Sequence, residues 1–181
     1  MTSTRKELIL SNSIPSLTNI LDFVGVFPEE GILMGVAQDK LPVLFNVKSE
    51  KPANIVIWDK LARQGLRILK VIAEYVFYHR SHKVTNVEFV VLTRYAEDWG
   101  ELNKYGMGMS GKTSCIGIIP FSSELASQVV HGLARWINEP HGHSKAPVIV
   151  LMDGLENLEK MNTDFQNNFR YILLKGHEKN V

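Results

Sequence analysis

The chain has 181 residues, of which 45% are apolar and 22% charged, a length that suits one domain with an ordinary globular composition. Twenty Lys+Arg against nineteen Asp+Glu leave a formal charge of +1, which excludes a chain-wide polybasic face for nucleic acid or anionic lipid and leaves room only for a local patch. One cysteine, Cys115, excludes an internal disulfide. With no signal pattern and no apolar run near about 18 residues, the expectation is a cytoplasmic protein without a membrane span.

In chain order, the residues through Asn12 read as a lead-in. Ser16 or Thr18 then caps a short amphipathic helix, with Leu17, Ile20, Leu21 and Val24 at helical spacing. GILMGVA (31–37) and PVLFNV (42–47), joined by the polar AQDKL, predict a β-hairpin. NIVIW (54–58) has the continuous apolar character of a strand buried on both faces. From about Asp59 to His79 the period changes to that of a long helix, whose apolar stripe is Ala62, Leu66, Leu69, Ile72, Ala73 and Val76. VEFVVLT (87–93) is a second buried strand, followed by a short polar helix around Glu97 to Leu102.

A glycine-rich stretch, YGMGMSGKT, leads into a third strand, CIGII (115–119). Pro120 ends it, and Ser122 or Ser123 can cap a helix to Ile137. PVIVLM (147–152) is a fourth strand with Asp153 at its end, and a last helix runs from Thr163 to Leu174. Strands alternating with helices predict an α/β fold of three layers, a mainly parallel sheet with helices on both faces and a small N-terminal β-hairpin. Residues 1–50 form the helix-and-hairpin lead-in and 51–181 the core.

Two segments carry candidate chemistry. Gly106, Gly111, Lys112 and Thr113 match GxxxxGK[ST], the pattern in which backbone N–H groups wrap a phosphate, the lysine neutralises charge and the hydroxyl reaches Mg²⁺. The context differs from that of a phosphate-binding loop, which follows a buried strand and opens a helix. Here a polar stretch precedes the match and a strand follows, so a plain glycine loop is the competing reading. The second segment, VIVLMDGLE, ends an apolar strand in Asp153, as in a Walker-B arrangement that holds Mg²⁺, with Glu156 placed to polarise an attacking water. Its plain alternative is an aspartate that caps the turn after a strand.

Other clusters have simpler explanations. At Asp59 to Leu66, where a phosphate loop is expected in this architecture, Asp59, Gln64, Gly65 and Leu66 occupy the four diagnostic positions and none fits, although Lys60, Arg63 and Arg67 keep some attraction for anions. His131, Glu139, His141 and His143 could be read as Zn²⁺ or Ni²⁺ ligands, but incidental histidines on a solvated loop account for them. HRSHK (79–83) suits a solvated helix end, and Trp58, Trp99 and Trp136 suit core or rim packing.

The run GILMGVAQDKLPVLFNVKSEKPANIVIWD, with VEFVVLTRYAEDW, CIGIIPF, LARWI, VIVLMDGLENL and FRYILLKG after it, resembles the motor core of FtsK/HerA-type P-loop ATPases over residues 31–181. The resemblance implies a P-loop-NTPase-like fold. It implies Asp153 as the Mg²⁺-linked acid and Glu156 as an approximate catalytic glutamate, Gly154 standing where many members carry that acid. It implies loss of the usual phosphate loop, and a core incomplete after the Walker-B strand and its following helix. The expected function is a degenerate, non-hydrolysing ATPase-like domain that acts as a structural or regulatory partner in a motor-like assembly, with a protein partner or homo-oligomer and only weak support for nucleic acid. The alternative is an ATP-binding protein or weak NTPase, with ATP and Mg²⁺ as cofactors, that uses Gly106, Gly111, Lys112 and Thr113 together with Asp153 and Glu156.

Overall fold

The computed structural model describes residues 17–25, 28, 31–39, 41–46, 54–57, 64–81, 87–100, 102, 115–139, 147–179 and 181. Among these, a helix α1 (Leu17–Val24) precedes strands β1 (Gly31–Val36) and β2 (Pro42–Asn46), which pair antiparallel as the predicted hairpin. The long helix α2 (Gln64–Ser81) leads to β3 (Glu88–Thr93), a 3-10 turn over Ala96–Trp99, and β4 (Cys115–Pro120). Helix α3 (Glu124–Asn138), β5 (Val148–Met152), a 3-10 turn over Leu155–Lys160 and helix α4 (Thr163–Lys175) follow.

The three core strands are parallel in the order β4-β3-β5. Leu92 lies opposite Ile119 on one side and Met152 on the other, and Thr93 lies opposite Pro120. Because side chains alternate across a strand, β3 serves two cores. Phe89 and Val91 join Ile72, Ala73, Tyr75 and Val76 of α2, with Ile20 of α1 and Ile32 and Leu33 of β1. Val90 and Leu92 join Ala126, Val130, Ala134 and Ile137 of α3 and Phe165, Phe169 and Ile172 of α4. The result is an α/β fold with a three-stranded parallel sheet flanked by helices and a small antiparallel hairpin, and no described helix is long and apolar enough to cross a membrane.

Local chemistry sets the helix boundaries. Ser123 accepts a hydrogen bond from the Leu125 N–H and Asn162 accepts one from Phe165, each satisfying a donor that the first helical turn leaves free. The stripe expected on α2 is buried at Ile72, Ala73 and Val76 and partly buried at Leu66 and Leu69; Ala62 lies outside the described residues. Cys115 opens β4 with a buried thiol, and burial pushes it up to about 11.

One expected core strand is corrected. Residues 54–57 take no strand assignment, and Ile55 and Val56 are 43% and 71% exposed. They are not buried on both faces. A strand is buried by what pairs with it and packs on it, and among the described residues this segment is tied by its Asn54 side chain, Nδ2 donating to the Leu173 carbonyl at 2.9 Å. Trp58 of the same run lies outside the described residues.

Candidate functional site

Asp153 and Glu156 lie at the C-terminal edge of the parallel sheet, just after β5. After Thr93 the chain turns toward the α2 face, where Trp99 and Leu102 enter the first core. After Met152 it turns toward the other face, where Leu158, Met161 and Phe165 enter the second. Neighbouring strands whose connections diverge to opposite faces make a topological switch point, the place where open α/β sheets bind ligands. Asp153 stands there, as its strand-end position predicts.

Its carboxylate is held from the neighbouring strand. The Asp153 N–H donates to the Leu92 carbonyl at 2.9 Å, continuing the ladder one step beyond β5. Thr93, wholly buried, places its Oγ1 3.1 Å from Asp153 Oδ2. Thr93 Oγ1 also accepts from the Trp99 indole Nε1–H at 3.1 Å and the Tyr95 N–H at 3.2 Å, and it lies 3.3 Å from the Tyr95 carbonyl. Trp99 is itself buried, so its indole N–H needs this acceptor. Partial burial is the main cause that raises the Asp153 carboxyl above its ordinary value; the Thr93 hydrogen bond opposes it, Glu156 and Asp98 add to it, and Lys70 of α2 opposes it.

Glu156 belongs to a differently built turn. Gly154 has φ 89°, in the left-handed region that favours glycine. Asn157 closes the turn, with both its N–H and its side-chain Nδ2 donating to the Gly154 carbonyl at 3.0 Å. Glu156 Oε1 lies 3.8 Å from Arg94 Nη1, with side chains 63% and 50% exposed, and the Arg94 guanidinium rests 4.9 Å from the centre of the Tyr95 ring. Glu156 is thus turned toward an arginine in solvent.

Gly106, Gly111, Lys112 and Thr113 lie outside the described residues, as do Asp59, Lys60, Arg63, His141 and His143. Cys115, two residues after Thr113, opens β4 at the sheet's N-terminal edge, opposite to Asp153. The six residues of β4 span roughly 16 Å at about 3.3 Å per step. Glu139 accepts from Arg135 Nε at 2.9 Å, and His131 Nδ1 lies 3.5 Å from Asn168 Nδ2. No group of three or more potential ligands that could hold a metal occurs among the described residues. At the end of β5 the half-buried carboxylate is that of Asp153, which Thr93 already engages, with Glu156 and Asp98 adding negative charge nearby.

The residues that sequence reading missed are Thr93 and Asn157. A threonine ending a strand and an asparagine in a polar turn carry no distinguishing signal until the fold sets them beside Asp153 and Gly154. Comparison with family models, curated proteins and solved structures gives no match.

Proposed function

We propose that this chain is a P-loop-ATPase-like domain of the FtsK/HerA pattern that does not hydrolyse nucleotide and serves as a structural or regulatory partner in a motor-like assembly. The observation that carries this reading is the turn after β5. In the hydrolysing arrangement implied by the resemblance, a second acid directly follows the strand-end aspartate. Here a Cβ on Gly154 would come within 2.8 Å of Asn157 Nδ2, on backbone at φ +89°. A glutamate at that position would hold its backbone in the strained left-handed region and push the Asn157 side chain aside. Glu156, the remaining acid, is directed at Arg94, and Asp153 anchors the neighbouring strand through Thr93.

Steady-state Mg²⁺-ATP turnover by the wild type and by Asp153→Asn tests the reading. The expected result is no turnover above buffer in either protein. A clear wild-type rate that Asp153→Asn abolishes would sink it.

A second reading, ATP binding by Gly106, Gly111, Lys112 and Thr113 with Asp153, draws support from the position of Asp153 at a topological switch point. Calorimetric titration of Mg²⁺-ATP separates the readings: binding that Lys112→Ala removes favours the second, and no binding at millimolar ATP favours the first.

A further inference from the structure

The Thr93 hydroxyl is oversubscribed. An oxygen of this kind offers one proton and two lone pairs, yet four polar atoms lie within hydrogen-bond distance: Asp153 Oδ2, the Tyr95 carbonyl, the Tyr95 N–H and Trp99 Nε1. When the proton points at Asp153, both lone pairs are available to the two N–H groups. When it turns to the Tyr95 carbonyl, one lone pair faces Asp153 and one is left for two N–H groups. Trp99, wholly buried, has no water to turn to, whereas Tyr95 is 45% exposed, so the Tyr95 N–H is the one that gives up its acceptor. The hydroxyl proton serves only one of its two acceptors at a time, so the hub has two arrangements.

We infer that Thr93 is a two-state positioning residue through which the engagement of the Asp153 carboxylate selects the hydrogen-bond state of Tyr95 and the course of the chain leaving β3. A cation or hydrogen-bond donor that draws Asp153 Oδ2 out of reach of Thr93 releases the Thr93 proton to the Tyr95 carbonyl and frees the Tyr95 N–H. Loss of the carboxylate does the same. The consequence is local: the turn at Tyr95, whose ring carries Arg94 and through it Glu156, responds to events at Asp153 while Trp99 stays anchored. This deepens the scaffold reading of the strand end and rests on it only in taking Asp153 as an internal anchor.

Residue-resolved hydrogen exchange tests it on the full chain. Asp153→Ala is expected to speed exchange of the Tyr95 amide at least tenfold while the Trp99 indole N–H changes less than twofold. In a Thr93→Val background the same Asp153→Ala change is expected to add less than twofold at Tyr95. In a Thr93→Ser background, which keeps the hydroxyl, the tenfold effect returns, so a poorly folding valine variant does not remove the test. Unchanged Tyr95 exchange in Asp153→Ala, equal acceleration of Tyr95 and Trp99, or loss of the effect in Thr93→Ser overturns the inference. ATP turnover sinks the scaffold reading instead, and leaves these exchange rates to be judged separately.

Discussion

The turns that follow β3 and β5 leave the same sheet edge side by side and are built in opposite ways. The first is held by side chains. Trp99 is buried in the first core, and its indole, the Tyr95 backbone and Asp153 all converge on one hydroxyl. The second buries no residue over its 3-10 segment, and is held by backbone conformation at Gly154 with Asn157 closing the loop. The first arrangement resists change through packing and unpaired polar groups, the second through the geometry of a single residue. A strand end that must hold still and one that must present a group to a ligand have different requirements, and in this chain Asp153 and Glu156 lie on the glycine-built turn while Glu97 and Asp98 lie on the other.

The comparison breaks most visibly at Trp99. Trp99→Ala removes a fully buried ring and is expected to cost about 3–5 kcal/mol in urea unfolding; a loss under about 1 kcal/mol would show the first turn to be no better anchored than the second. Gly154→Ala is expected to cost about 1–3 kcal/mol, since it forces a side chain into the left-handed region and against Asn157. The Asn157→Ala background should relieve the steric part and leave the backbone part.

The third test is pH dependence. The Asp153 carboxyl is raised above its ordinary 3.8 in the fold, so the folded chain holds that proton more tightly than the unfolded one. Ionising Asp153 therefore subtracts stability. The subtraction is absent below pH 3.8, grows as pH rises through the folded value and is complete above it. Melting temperatures of wild type and Asp153→Asn across this window should show the wild type falling relative to the variant as pH rises; the opposite slope would mean that the Thr93 bond outweighs burial. The smallest effect belongs to the exposed Glu156–Arg94 pair. Glu156→Gln should alter stability by no more than about 0.5 kcal/mol, and a larger loss would place that pair among the anchors.

Much of the architecture was legible because it follows from period and punctuation. Two short extended runs joined by a polar link gave the hairpin, three apolar runs gave the parallel strands within a residue or so, and the cap of α3 was readable as Ser122 or Ser123, of which the fold uses Ser123. The 54–57 segment misled because an apolar run reports what a strand could bury. It carries no information about whether a neighbour pairs with it. The candidate site was half legible. Asp153 stood out as a carboxylate ending an apolar strand, and Gly154 as an odd occupant of the next position. Thr93 could not be seen, because its role comes from a register that sets it beside residues 60 positions away and from an indole six residues on that folds back onto it.

Cys115 gives this chain its own clock. With its thiol buried and pushed up to about 11, only about one molecule in ten thousand carries the reactive thiolate at pH 7. An alkylating reagent must therefore wait for the first residue of β4 to leave its place beside Phe89. The rate at which a reagent such as iodoacetamide marks that single sulfur then measures how often the edge strand opens, and it does so in the unaltered protein.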